Sequence, residues 1–292
     1  MHTEKGRATR DRNRRGLQHH LQIAVMVLMA MMPATKGFVA PAESPTAAQP
    51  SPGSAAIAKA AANKRYLFIF FHSANSNAGN KFALFGRSRA EQTAALKASF
   101  DAATQKAGDR AESVAIDISD PAEKDVVKRF DVSRSPMPMV LVLAPNGAIT
   151  GGFPGKFTEE QILGAVTTPA MAKCLKTLQD RKLVFLCVQN DKTRGNDEAM
   201  RGVKDFKADQ KYGSATEIIT VDPADKAEAA TLGKFHVDPS TKDAVTVFIA
   251  PPGTTIATFQ GATDKKTLVA KLTAAVASCG SGCGPSGCGP AQ

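Results

Sequence analysis

Residues 144–155 read APNGAITGGFPG, and residues 250–261 read APPGTTIATFQG. Both fit A-P-x-G-x5-F-x-G, at an offset of 106 residues. An apolar run precedes each, MVLVLA (139–144) and DAVTVFIA (243–250), so each is the turn and second strand of a β-hairpin. Upstream of the first hairpin lie the apolar strand YLFIFFHS (66–73), a helix-forming stretch from about 81 to 106, the strand ESVAIDI (112–118) and the helix PAEKDVVKRF (121–130). FTEEQILGAV (157–166) then follows as a helix, with Thr158 and Glu160 suited to its first turn. The same order recurs from KLVFLCVQ (182–189) to DKKTLVAKLTAAVAS (264–278). A period of this size marks duplicated domains and not a short-repeat solenoid.

The order β-α-β-α-β-β-α, twice, predicts an α/β protein. Strand-helix-strand steps demand right-handed crossovers and parallel pairing, and the closing hairpin adds antiparallel strands. Each unit is then a mixed sheet of about four strands flanked by helices, over residues 59–170 and 171–278.

The ends of the chain differ from these units. Residues 1–16 carry six Lys/Arg and lead into the apolar run LQIAVMVLMAMM, with Ala40-Pro41-Ala42 as a cleavage site. This is the pattern of a bacterial export signal over 1–42, through either the general or the twin-arginine route. A run of twelve residues is too short to span a bilayer, so no membrane span is expected after cleavage. Removing 1–42 lowers the formal charge from +10 to +5, with no basic run, which excludes a nucleic-acid role. The expected location is periplasmic or secreted, and the expected partners are exported or periplasmic proteins or peptides. ESPTAAQPSPGSAA reads as a flexible tether over 43–58.

The element order resembles the thioredoxin fold over about residues 60–278, and FDVSRSPMPMVLVLAPNG (130–147) strengthens the likeness. Thioredoxin-like proteins have an aromatic residue and a Val or Ile there, then a proline just before the third strand. In that family the proline is cis and faces the active site; Pro138 is its candidate here and Pro136 the alternative. The resemblance also implies a CxxC motif after the first strand, where helix amides stabilise a thiolate. This chain departs from it. Ser76 and Gly79 stand where the cysteines would be, Phe70 replaces the usual buried acid, and no tryptophan is present. The second loop, Asn190 to Gly195, has no sulfur either. Family members without the motif serve as binding or scaffold modules, which places a docking face at His72, Asn75, Ser76, Asn77 and Pro138. Ser76 as a nucleophile would need His72 oriented by an acid that the sequence does not supply, so helix capping is its reading.

The five cysteines divide into two groups. Cys174 and Cys187 are either packed, inert thiols or a disulfide worth about 3 kcal/mol. The tail CGSGCGPSGCGPAQ (279–292) has no apolar side chain to bury and reads as disordered. Its Cys279, Cys283 and Cys288 suit copper(I) or, with a fourth ligand, zinc; no cofactor is certain. The same thiols would equally serve as a mobile arm for disulfide exchange or as a cross-link to a partner.

Overall fold

The computed structural model describes residues 50–74 and 89–280, with the backbone alone at 89–90 and 278–280. The expected export signal and the first part of the expected tether lie outside these residues. The first domain runs α1 (Pro52–Ala62), β1 (Tyr66–His72), α2 (Arg89–Ala107), β2 (Ala111–Asp117), α3 (Lys124–Arg129), β3 (Met139–Leu143), β4 (Ile149–Pro154) and α4 (Glu159–Gly164). The second runs α5 (Pro169–Gln179), β5 (Leu183–Val188), α6 (Asn196–Lys207), β6 (Thr216–Val221), α7 (Ala229–Lys234), β7 (Val245–Ala250), β8 (Thr254–Gln260) and α8 (Lys265–Gly280). The strand orders are β2-β1-β3-β4 and β6-β5-β7-β8. In each sheet the first two strands pair in parallel, and the third is antiparallel to both neighbours. These are two tandem thioredoxin-like domains, and they belong to one compact unit.

The central strands are continuously apolar because helices cover both of their faces. Along β1, Phe68 and Phe70 meet Phe100 of α2 and Ile162 of α4, while Leu67, Ile69 and Phe71 meet Ala60 of α1 and Val126 of α3. In β5, Val184, Leu186 and Val188 pack with Cys174 of α5 and Leu232 of α7. Phe185 and Cys187 point the other way, to Val203 and Phe206 of α6 and Leu268 of α8.

The tether expected through residue 58 is corrected here, since the chain is helical from Pro52. Its start is defined locally by Ser51, whose Oγ accepts the Ser54 N–H at 3.2 Å, and by Pro52 at the first helical position. The rest of the reason is distant in sequence. Glu123 is buried, and its carboxyl oxygens accept from the Gly53 N–H at 2.8 Å and the Ser51 hydroxyl at 2.9 Å. The helix that carries Cys174, α5, is the counterpart of α1. There the buried Glu228 accepts from the Ala170 N–H at 2.9 Å and from the Thr231 hydroxyl at 2.9 Å. Thr231 also bonds Thr168, the N-cap of α5. Gly53 is required by this contact, because a Cβ there would lie 2.5 Å from Glu123 Oε2 and 2.7 Å from Ile116 Cδ1.

The two domains are joined by side-chain bonds to and from α5 and its approach. Gln179 behaves like a strand residue towards the start of β4: its Oε1 accepts the Ile149 N–H at 3.0 Å and its Nε2 donates to the Ile149 carbonyl at 2.7 Å. An edge strand is thereby paired at one position. Asn146 of the first hairpin donates to the Ala172 carbonyl at 2.9 Å, and Tyr66 Oη donates to the Thr167 carbonyl at 2.7 Å. Ala144, Ala148 and Ala172 form the small apolar cluster between them.

Replacing Glu123 or Glu228 by Ala strands a buried helix amide, and each change is expected to cost about 1–3 kcal/mol of stability. Gly53→Ala, which displaces the Glu123 carboxyl, is expected to cost about 1–3 kcal/mol as an overpacking change. Urea unfolding followed by circular dichroism measures all three.

Candidate functional site

The docking face expected from sequence lies where β1 and β2 end and the segment before β3 begins. His72 closes β1, is half-buried, and its carbonyl accepts the Ile118 N–H at 2.9 Å. Opposite it in the sheet stands Asp117. Asp117 Oδ1 accepts from the Ser119 hydroxyl at 2.6 Å, the Ser119 N–H at 3.0 Å and the Ala74 N–H at 3.3 Å. The Ser119 hydroxyl and then its amide hold this carboxyl below the usual aspartate range. Met137–Pro138 is a cis peptide bond. Pro138 itself is buried, Pro136 is exposed, and Phe130, Met137 and Met139 are half-buried on the face packed by α1 and α3. Asn75, Ser76 and Asn77 lie outside the described residues.

In the second domain the same place is polar. Asp222 accepts from the Ala224 N–H at 2.8 Å and from Asn190 Nδ2 at 2.7 Å. The Ala224 amide and then Asn190 lower its pKa. The loop after β5 is bonded to itself: the Asn190 N–H donates to Thr193 Oγ1 at 2.9 Å, and Asn196 Nδ2 donates to the Asn190 carbonyl at 2.7 Å. Beside it opens a cleft of about 520 Å³, lined in part by Arg194, His236, Lys242, Asp243, Thr258 and Gln260. Arg194 Nε donates to Asp243 Oδ1 at 2.9 Å.

Sequence reasoning passed over a signal that organises both sites. D-x-x-D-x-A-E occurs at 117–123 and again at 222–228. The first acid fixes the loops at the strand ends. The second, Asp120 or Asp225, accepts the amide two residues on at 2.9 or 2.8 Å and caps a short helical turn. The third is the buried glutamate beneath α1 or α5.

The Cys174–Cys187 disulfide is corrected by the strand's alternation. Both cysteines are free and buried, and they occupy separate core clusters on opposite faces of the second sheet. Burial pushes each thiol up to about 12, with Glu228 adding to the effect at Cys174. Neither is a nucleophile near neutral pH. Cys187 also stands at the position in β5 that Phe70 occupies in β1, so neither domain has a carboxyl there. Cys279 falls in the last turn of α8, of which the backbone alone is described; Cys283 and Cys288 lie outside the described residues. Among the described residues no cluster of three His, Cys, Asp or Glu could hold a metal ion, and no helix is long and apolar enough to cross a membrane.

No protein-family model matches the chain, and no curated protein sequence matches it. Among solved structures, a disulphide isomerase from Xylella fastidiosa Temecula1 aligns with 38% of this chain and 82% of its own, at 17% identity and a TM-score of 0.26. The germline-specific thioredoxin Deadhead from Drosophila melanogaster aligns with 42% of this chain and 94% of its own, at 15% identity and TM-score 0.28. Human ERp44 in a zinc-bound form aligns with 75% of this chain and 59% of its own, at 10% identity and TM-score 0.31. At such scores these likenesses carry no argument beside the strand order itself.

Iodoacetamide at about pH 8 is expected to label neither Cys174 nor Cys187 in the folded protein and both in denaturant, as read by mass spectrometry. The folded thiols keep their protons to about 12, whereas unfolded ones lose them from 9.0. Their contribution to stability is therefore intact below pH 9 and lost as pH rises towards 12, by about 1.4 kcal/mol per unit for each thiol. The urea midpoint should fall over that range, and fall less in a Cys174→Ala/Cys187→Ala variant.

Proposed function

We propose that this is an exported protein, periplasmic or secreted, that binds other exported proteins or peptides through its first thioredoxin-like domain and performs no dithiol exchange at the fold's usual position. The observation that carries this reading is the contrast between the two repeats. Where the first domain presents Pro136, Met137, Met139 and Pro154, the second presents Lys242, Asp243 and Gln260, with Val245 buried. Two half-buried methionines beside exposed prolines give an adaptable apolar surface, suited to side chains of varied shape. The sequence has no cysteine before Cys174, so the first domain has no thiol to exchange.

A second reading concerns the tail. α8 runs to Gly280, so the cysteine-rich segment begins at a helix end and not at the close of a loop. Cys279, Cys283 and Cys288 would then act as a redox arm or bind copper or zinc, with the domains as support.

The test is fluorescence anisotropy on mature chain 43–292, with a fluorescein-labelled Val-Thr decapeptide as an extended, uncharged probe. Met137→Asp is expected to weaken binding at least about tenfold, a change of about 1.4 kcal/mol. Replacing all three tail cysteines with serine should leave that affinity unchanged. The opposite pattern, with binding or metal content lost in the serine variant alone, transfers the function to the tail.

A further inference from the structure

The two sheets end in matching edge strands, β4 and β8, each bonded on one side only. The Gly155 N–H donates to the Pro138 carbonyl and the Gly261 N–H to the Ala244 carbonyl, at 2.8 and 2.7 Å, so Pro138 and Ala244 are counterparts. Backbone groups alternate in direction along an antiparallel strand. Residues an odd number of places before these glycines therefore point theirs away from the sheet: Gly152 and Pro154 in β4, Thr258 and Gln260 in β8.

The first domain closes its edge at both ends. Gln179 takes up the N–H and the carbonyl of Ile149, and Pro154 has no N–H. By register their counterparts are Thr255 and Gln260, which each keep an N–H. Among the described residues no helix follows α8 to lend another glutamine. The outer edges of the other two strands carry paired charges, Glu112 of β2 with Lys59, and Glu217 of β6 with Lys182 and Lys207. β8 reads TTIATFQ, with neither charge nor proline. Its register shifts beside Phe248 and Ile249, which leaves 257–260 as its regular part.

We infer that two copies of this chain join through β8, antiparallel, about a two-fold axis at Phe259. In this register Thr258 of one copy and Gln260 of the other exchange N–H and carbonyl bonds, and the pairing is repeated across the axis. Phe259, half-buried against α6 and α8, meets its own counterpart as a cross-strand aromatic pair. The segment is complementary to itself, since an uncharged outward residue stands on each side of one aromatic side chain. That symmetry is what favours a second copy over a foreign strand, which would share only the backbone bonds. The axis is normal to the sheet, so the α8 helices of both copies lie on one face, to either side of it. α8 packs on β8 and carries Val276, at 65% exposure the one strongly exposed large apolar side chain among the described residues.

Sedimentation velocity on mature chain 43–292 in reducing buffer, where the tail thiols form no cross-link, should show a dimer at about 100 μM and a monomer at about 0.1 μM. An edge proline with its nitrogen outward keeps every bond to β7. Thr258→Pro should therefore fold yet lose the same bond twice, raising the dissociation constant at least about a hundredfold. Thr258→Val keeps the N–H and should hold that constant within about threefold. In the unmodified protein, exchange at the Thr258 and Gln260 amides should slow at least about tenfold from the dilute to the concentrated sample. A monomer at both concentrations overturns the inference, and so does a dimer that survives Thr258→Pro with native circular dichroism. Should that variant not fold, the exchange rates decide, and rates independent of concentration overturn it. A monomer whose binding of the Val-Thr decapeptide is lost in Thr258→Pro would mark an edge for foreign strands, and self-association then falls.

Discussion

A buried glutamate bonded to the second amide of a helix is the contact on which each half of this protein depends. Burying a carboxyl group is costly unless its oxygens are taken up, and both Glu123 and Glu228 have two donors. The bond fixes α1 or α5 over one face of its sheet and also anchors the turn that starts α3 or α7. Without it, the Leu67, Ile69 and Phe71 face of β1 would lose the helix that covers it. The strand-end loops follow from the same segment, since Asp117 and Asp222 lie six residues upstream of the two glutamates. Core and candidate site are thus set by one seven-residue pattern used twice.

Much of the fold was legible because its signals are local. The apolar runs of β1 and β5 and the repeated hairpin could be read from the order of residues alone, and so could the proline ahead of β3. The first helix could not. PGSAAIAKAAA has the composition of a linker, and what holds it in place is a side chain some seventy residues away. Whether Cys174 and Cys187 pair was left open for a related reason. Alternation along KLVFLCVQ puts neighbouring residues on opposite faces, but which face the preceding helix covers is a tertiary fact. The Arg194–Asp243 ion pair had no sequence signal, because its partners are 49 residues apart.

Duplication has given the two domains one frame and two surfaces. Pro138 and Ala244 occupy one place, as do Phe70 and Cys187, and Gly53 and Ala170. Each pair differs in what the backbone or the packing can do there. At the first, an N–H is lost or kept. At the last, Gly53 is needed because Ile116 and Glu123 crowd the space, whereas the second domain accommodates a methyl group.

The joint between the domains has a consequence for how many of them there can be. A string of like modules lengthens only if each offers the next the fittings it received from the one before. Here Asn146 and Gln179 are those fittings, and each exists once. Pro252 stands where a second Asn146 would be and has no side-chain donor; Ala62 stands where a second Gln179 would be and has no amide group. The two outward positions of this pair therefore lack the amide side chains that make the joint between the domains.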